Sequence, residues 1–182
     1  MAKKSAEIGD SAKSKPKARS LQRSDKAVGA KSAPIFVLKV SLTYNKSIWR
    51  RIAVRGEQTL EDLHEAIYDA FDRYDEHLYS FYLAPPGTTG EARWRTAVEF
   101  ACDQMFEHGD RFDGKPEYNA AETTIQSMGL KRQRVFRYVF DYGDEWRHDI
   151  AVEQLDGEPE KGKYPKILEK HGKSPPQYDY GE

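Results

Sequence analysis

Apolar and polar positions alternate with a period of two where the foldable part of the chain begins. Phe36, Leu38, Val40, Leu42 and Tyr44 interleave with Val37, Lys39, Ser41 and Thr43, the pattern of a half-buried strand. After a turn at Asn45-Lys46-Ser47, Ile48, Ile52 and Val54 share one face of a second run, with Trp49, Arg51 and Ala53 on the other. The pair predicts a hairpin ended by Gly56. Arg50 falls on the apolar face, where a charge needs a partner or a bulge. Thr59 followed by Asp62 has the spacing of a capping box, opening a helix to about Asp72. Its apolar stripe is Leu60, Leu63, Ile67, Ala70 and Phe71, with His64 inside it.

Further along, His77, Tyr79, Phe81 and Leu83 alternate as a third strand stopped by Pro85-Pro86-Gly87. Ala97, Val98, Ala101, Cys102, Met105 and Phe106 recur at helical spacing and predict a second helix over 96–106, followed by a loop over 109–116. Phe136, Tyr138, Phe140 and Tyr142 then share one strand face. Trp146, His148, Ile150 and Val152 share one face of the returning strand, which predicts a second hairpin about the Asp141–Glu145 turn. The tightness of that turn predicts a positive φ at Gly143. Residues 161–182, with Pro165, Gly172, Pro175 and Pro176, read as loop. Together these elements predict one α+β domain over residues 34–182: an antiparallel sheet built from two hairpins and a further strand, with one main helix packed on it.

Composition changes the picture at the N-terminus. Residues 1–33 hold nine Lys and Arg against three Asp and Glu, although the whole chain of 182 residues has a formal net charge of -1. With only Ile8, Leu21 and Val28 as large apolar groups, this stretch is expected to be a disordered basic tail, because it cannot bury enough surface to offset the entropy of ordering. Lys13, Lys15, Lys17, Arg19 and Arg23 are its candidate nucleic-acid contacts, through counterion release from phosphates. No run approaches a membrane span, and Met1-Ala2-Lys3-Lys4 is not followed by an apolar signal, so a cytoplasmic protein without membrane partners is expected. Cys102 is the sole cysteine, which excludes an intramolecular disulfide, a CxxC pair and a cysteine-rich zinc site. P-loop, GxGxxG, GxSxG and HExxH patterns are all missing.

Phe140-Asp141-Tyr142-Gly143-Asp144-Glu145-Trp146-Arg147-His148 resembles the Y-D-F-G-D-x-W-x-H signature of the plasmid pRiA4b open-reading-frame-three-like family. Matches in the same order are Ile48-Trp49-Arg50-Arg51 with Val54, Thr59-Leu60 with Leu63-His64, Asp75 with His77-Leu78 and Phe81, Tyr164-Pro165-Lys166, and Pro175-Pro176. The resemblance covers most of residues 35–181. It implies an α+β fold and carriage on mobile elements, including as passengers of insertion sequences, and implies no established activity. Where the family often has Cys-Pro-Pro-Glu-Asp near its end, this chain has Ser174-Pro175-Pro176-Gln177-Tyr178, which removes a thiol and two carboxylates.

The candidate site follows from phase. His64 lies in the helix stripe, His77 shares a face with Tyr79 and Phe81, and His148 shares one with Trp146 and Ile150, so all three are expected on the packed side, lining a common pocket. Asp141 and Asp144 in the turn, and Arg50 on the first hairpin, are expected at its rim. Histidines with carboxylates are what a divalent metal uses, and His64, His77, His148 and Asp144 are the candidate ligands, although no cofactor is established. The same residues can form a buried hydrogen-bonded network that fixes the sheet. Two functions from different classes follow. One is a non-enzymatic binding or accessory module contacting protein or nucleic acid. The other is a metal-dependent hydrolase or nuclease using the His/Asp cluster.

Overall fold

The computed structural model describes residues 33–108, 116–157 and 161–178. The chain runs through β1 (Ile35–Leu42), β2 (Trp49–Arg55), α1 (Leu60–Ala70), β3 (Tyr79–Leu83), β4 (Val98–Ala101), α2 (Asp103–His108), β5 (Tyr118–Asn119), β6 (Val135–Phe140), β7 (Trp146–Gly157) and β8 (Lys166–His171). All eight strands join one sheet in the order β5-β4-β3-β6-β7-β1-β2-β8. The fold is α+β with few helices. The sheet is wider than the predicted one and mixed rather than purely antiparallel, because β4 and β5 run parallel.

Register explains the core. Leu38 opposes Ile52, Val40 opposes Arg50 and Ile150, Leu42 opposes His148, and Tyr138 opposes both His148 and Phe81. Opposed residues share a face of a sheet, so these side chains form one layer with Val54, Phe136, Phe140 and Val152, and all of them are buried. Helix α1 lays Leu60, Leu63, Ile67 and Ala70 on that layer, each at most 1% exposed. Its start is fixed as the sequence predicts: the Thr59 hydroxyl accepts from the Asp62 N–H at 3.2 Å, and the Asp62 carboxylate accepts from the Thr59 N–H at 2.8 Å.

The end of α1 sets up the site. The Asp72 N–H bonds the Asp69 carbonyl at 3.2 Å and the Arg73 N–H bonds the Tyr68 carbonyl at 3.1 Å, the two bonds of a Schellman turn. Asp72 occupies the left-handed position, φ 56°, that glycine usually takes. This turn carries Arg73 back into the protein, where it is 7% exposed.

Four expectations are corrected. Residues 96–106 are not a helix: a 3₁₀ turn over Glu91–Thr96 leads into β4, and only then does α2 begin. Val98 and Phe100 alternate with Glu99 in a strand of four residues, and the apolar Ala101 and Cys102 that follow blur the period. Strand β8, read as loop, is an edge strand that is mostly exposed, so no alternation marks it. The third strand starts at Tyr79 rather than His77, which puts His77 at the surface. Gly143 lacks the expected positive φ; the turn instead places Asp141 (φ 58°) and Glu145 (φ 51°) in the left-handed region.

The basic stretch with Lys13, Lys15, Lys17, Arg19 and Arg23 lies outside the described residues. Among the described residues no helix is long and apolar enough to cross a membrane.

Candidate functional site

A cleft of about 970 Å³ opens at one end of the sheet. Tyr44 and Trp146 form one wall, with ring centroids 6.2 Å apart, and Pro175, Pro176 and Tyr178 form the other. Asp75 and Asp144 also line it. The far wall exists because the chain turns back after β8. Gly172 has φ 74°, and a side chain there would meet Ser47 and Ile48 backbone atoms at 3.1–3.2 Å, so the position requires glycine.

Beyond Gly172, polar side chains tie the returning segment to the loop after α1. The Ser174 hydroxyl donates to the Phe71 carbonyl at 2.7 Å. The Gln177 side chain is 1% exposed: its carbonyl accepts from the Tyr74 and Asp75 N–H groups at 3.0 and 3.1 Å, and its amide donates to the Asp75 carbonyl at 2.8 Å. The Tyr178 hydroxyl donates to the Asp75 carboxylate at 2.7 Å and therefore accepts from His77 Nε2, also at 2.7 Å. The contact with Asp75 pushes the Tyr178 phenol pKa up. Ser174, Gln177 and Tyr178, which stand where the resembled pattern has a thiol and two carboxylates, thus fasten this wall to the loop after α1.

The β6–β7 turn supplies the remaining side. The Asp141 carboxylate accepts from the Gly143 and Asp144 N–H groups at 2.9 and 3.4 Å, which holds the turn and leaves Asp144 on the cleft. Its other oxygen lies 3.5 Å from His77 Nε2. Of the predicted site residues, the fold brings an exposed His77 against a buried Asp141 here.

Behind Trp146 lies a buried polar cluster. The Arg73 guanidinium stacks on the indole at 3.8 Å. Its Nη1 donates to the Pro175 carbonyl at 3.1 Å, whereas Nε and Nη2 are buried without a partner. Among the described residues no carboxylate lies within salt-bridge distance of it. Burial pushes its pKa down. Trp146 Nε1 and His148 Nε2 are likewise buried and unpartnered. His148 Nδ1 lies 3.1 Å from the Trp146 carbonyl, which only accepts, so Nδ1 carries the proton and Nε2 the lone pair. Burial, and secondly the Arg73 charge, lower the His148 pKa to about 3.

His64 is distributed elsewhere. It stacks on Tyr79 at 3.7 Å, and its Nδ1 meets the Tyr138 hydroxyl at 2.7 Å. Burial lowers its pKa to about 4. His64 and His148 each lie beside Tyr138, with ring centroids 5.9 and 5.4 Å from the phenol, and their bonded nitrogens meet different groups, the Tyr138 hydroxyl and the Trp146 carbonyl. His64 and His77 line a separate acidic hollow of about 480 Å³ with Glu61, Glu65, Glu76 and Asp103. Among the described residues no group of three or more His, Cys, Asp or Glu is placed to hold a metal ion. Of the three histidines predicted to share a pocket, His64 and His77 thus line one hollow, while His148 is buried behind Trp146.

Arg50 is also not at the rim, nor paired with Asp141 or Asp144. It is 1% exposed beneath α1, where Nε donates to the Ala70 carbonyl at 2.7 Å and Nη1 to the Trp49, His171 and Gly172 carbonyls at 2.9, 2.9 and 3.1 Å. It caps the C-terminus of a helix that has no basic residue in its own last turn. Sequence reasoning missed Arg73 and Gln177. A charge just past a helix reads as solvated, and a glutamine after two prolines reads as loop. Only the absence of a glycine at the helix end hinted at an unusual turn there.

Residues 34–181 match the model of a protein family described as plasmid pRiA4b ORF-3-like protein. The chain is 28% identical over 150 residues to the uncharacterised protein y4hQ of Sinorhizobium fredii, covering 80% of this chain and 66% of that protein, so it spans about two thirds of its relative's length. Among solved structures it is similar to the protein of unknown function MM3350 from Methanosarcina mazei Go1, with a TM-score of 0.61 and 23% identity, over 81% of this chain and 74% of that one. That likeness is one of fold.

Proposed function

The chain belongs to the plasmid pRiA4b ORF-3-like family, and on that premise we propose that it is a non-enzymatic accessory module of mobile DNA whose folded part takes a protein partner in the cleft beside Trp146. One observation carries the reading: the cleft is walled by tyrosine, tryptophan and proline, the amphipathic surfaces that protein interfaces favour. The histidines do not supply a comparable case for catalysis. His64 and His148 are neutral at pH 7 and are bonded to a phenol and a backbone carbonyl, with no hydroxyl or thiol nucleophile of Ser, Thr or Cys hydrogen-bonded to either among the described residues. The family's plasmid name supports the accessory role. The basic residues Lys13, Lys15, Lys17, Arg19 and Arg23 add salt-dependent attraction to nucleic acid.

Immobilised full-length protein, compared with an equally folded Tyr44→Ala/Asp144→Arg variant, tests the cleft. Retention of a defined polypeptide from the producing cells by the wild type and its loss with the variant supports the reading. Equal retention by both contradicts it. So does hydrolysis of bis-p-nitrophenyl phosphate by the wild type with Mg²⁺, Mn²⁺ or Zn²⁺ that disappears in His77→Ala. Deleting residues 1–33 should flatten the salt dependence of any nucleic-acid binding.

A further inference from the structure

The unused atoms of Arg73 form a pattern. A guanidinium grips a carboxylate through two parallel N–H groups, and Nε and Nη2 make its side-on fork. In Arg73 those two nitrogens are the buried unpartnered ones, while Nη1 is occupied by the Pro175 carbonyl. The side chain is more than nine-tenths buried. A buried cation lacking a counter-charge is strongly disfavoured unless something completes it, and each buried unsatisfied polar atom calls for an explanation.

The neighbours complete the pattern. Trp146 Nε1 is a third unused donor, and the indole stacked on Arg73 is also a wall of the cleft, as is Pro175. The guanidinium therefore lies one layer behind the cleft, with Trp146, itself only half-buried, as the intervening side chain. His148 Nε2 is an unused acceptor. The unused set is three donors and one acceptor. A peptide's terminal carboxylate offers two oxygens to the donors on Arg73 and on the Trp146 indole stacked against it.

The surroundings choose among anions. Asp75 and Asp144 on the cleft repel a phosphate dianion or the charge array of a nucleic acid, while tolerating a single negative charge at the end of an otherwise neutral chain. The tyrosine, tryptophan and proline walls suit apolar side chains.

We infer that the cleft is a receptor for the C-terminal carboxylate of a polypeptide, gripped by the Arg73 fork and Trp146 Nε1 once the indole swings aside. The inference rests on the binding-module reading and deepens it by naming the part of the partner that is held. The bond from Nη1 to the Pro175 carbonyl holds Arg73 aligned before the ligand arrives, which lowers the ordering cost of binding.

The test uses the full chain and two fluorescein-labelled pools of random hexapeptides, one with free C-termini and one amidated. The free pool should bind at least about tenfold tighter, because removing the charge abolishes a bidentate pair, and Arg73→Met should make the two pools equal. Benzoate should displace the free pool more strongly than inorganic phosphate does. Equal binding of both pools to the wild type overturns the inference, and if Tyr44→Ala then weakens both alike, the cleft still serves as a protein site. Binding of neither pool, or stronger displacement by phosphate than by benzoate, also overturns it. Should Arg73→Met not fold, the wild type alone decides: the indole N–H resonance assigned to Trp146 should shift on adding benzoate, and an unmoved resonance contradicts the site.

Discussion

Arg50 and Arg73 lie under the same end of the sheet, each at most 7% exposed, and each stacks on an aromatic ring, Phe71 and Trp146 respectively. Their surroundings differ in one respect. Arg50 gives its hydrogen bonds to four backbone carbonyls and leaves no buried nitrogen unpartnered, whereas Arg73 has a single carbonyl and two empty N–H groups. The first joins the end of α1 to the end of β8 and stabilises the fold. The second sits beside a cleft, and apart from its bond to the Pro175 carbonyl and its stack on Trp146, its Nε and Nη2 hold nothing that the described residues show. Buried charge alone therefore does not separate structure from function. The count of satisfied hydrogen-bonding groups does.

The comparison can be broken by substitution. Arg50→Met should cost about 4 kcal/mol of unfolding free energy, since four carbonyls lose their donor and each buried unsatisfied group costs about 1–3 kcal/mol. Urea unfolding measures it, and a loss under about 1 kcal/mol would place Arg50 with Arg73.

A second prediction uses pH. His64 and His148 have folded pKa values near 4 and 3 against an ordinary value of 6.5, both lowered first by burial. Below pH 6.5 the unfolded chain binds protons that the folded chain refuses, so stability is full above that pH and falls as pH drops toward 4. Each histidine contributes about 1.4 kcal/mol per pH unit in that window. His64→Gln should therefore have a shallower stability slope than the wild type between pH 6 and pH 5, by about that amount. Identical slopes would mean that the imidazole is protonated in the folded protein.

The effect expected in the β6–β7 turn is of similar size. Asp141→Ala removes the acceptor of two turn N–H groups from a left-handed residue and should cost about 1–2 kcal/mol, while Asp141→Asn should recover most of it. A melting temperature unchanged in Asp141→Ala would show the turn to be held by its neighbours.

These elements were unequally legible in the sequence. The two hairpins and α1 show because one buried face imposes a period of two or 3.6, and the Thr59 cap shows because its hydrogen bonds are local. Strand β8 did not, since an exposed edge imposes no pattern. Arg50 was visible as a charge out of phase, but its partners are carbonyls, which no side-chain pattern encodes. Convergence of the histidines required knowing where β3 begins. A shift of two residues leaves His77 outside, against Tyr178 and Asp141, and the departure at Gln177 and Tyr178, which looked like a loss, supplies its new neighbour.

The smallest stability change bears on the largest claim. If the Arg73 fork exists for a ligand, replacing it with an apolar side chain of similar length removes an uncompensated buried charge. Urea unfolding of Arg73→Met should then show a protein at least as stable as the wild type, within about 1 kcal/mol. With benzoate at millimolar concentration the wild type should gain stability by mass action, and the variant should not. A loss of about 3 kcal/mol in Arg73→Met without ligand, together with equal responses of both proteins to benzoate, would show that Arg73 supports the fold as Arg50 does.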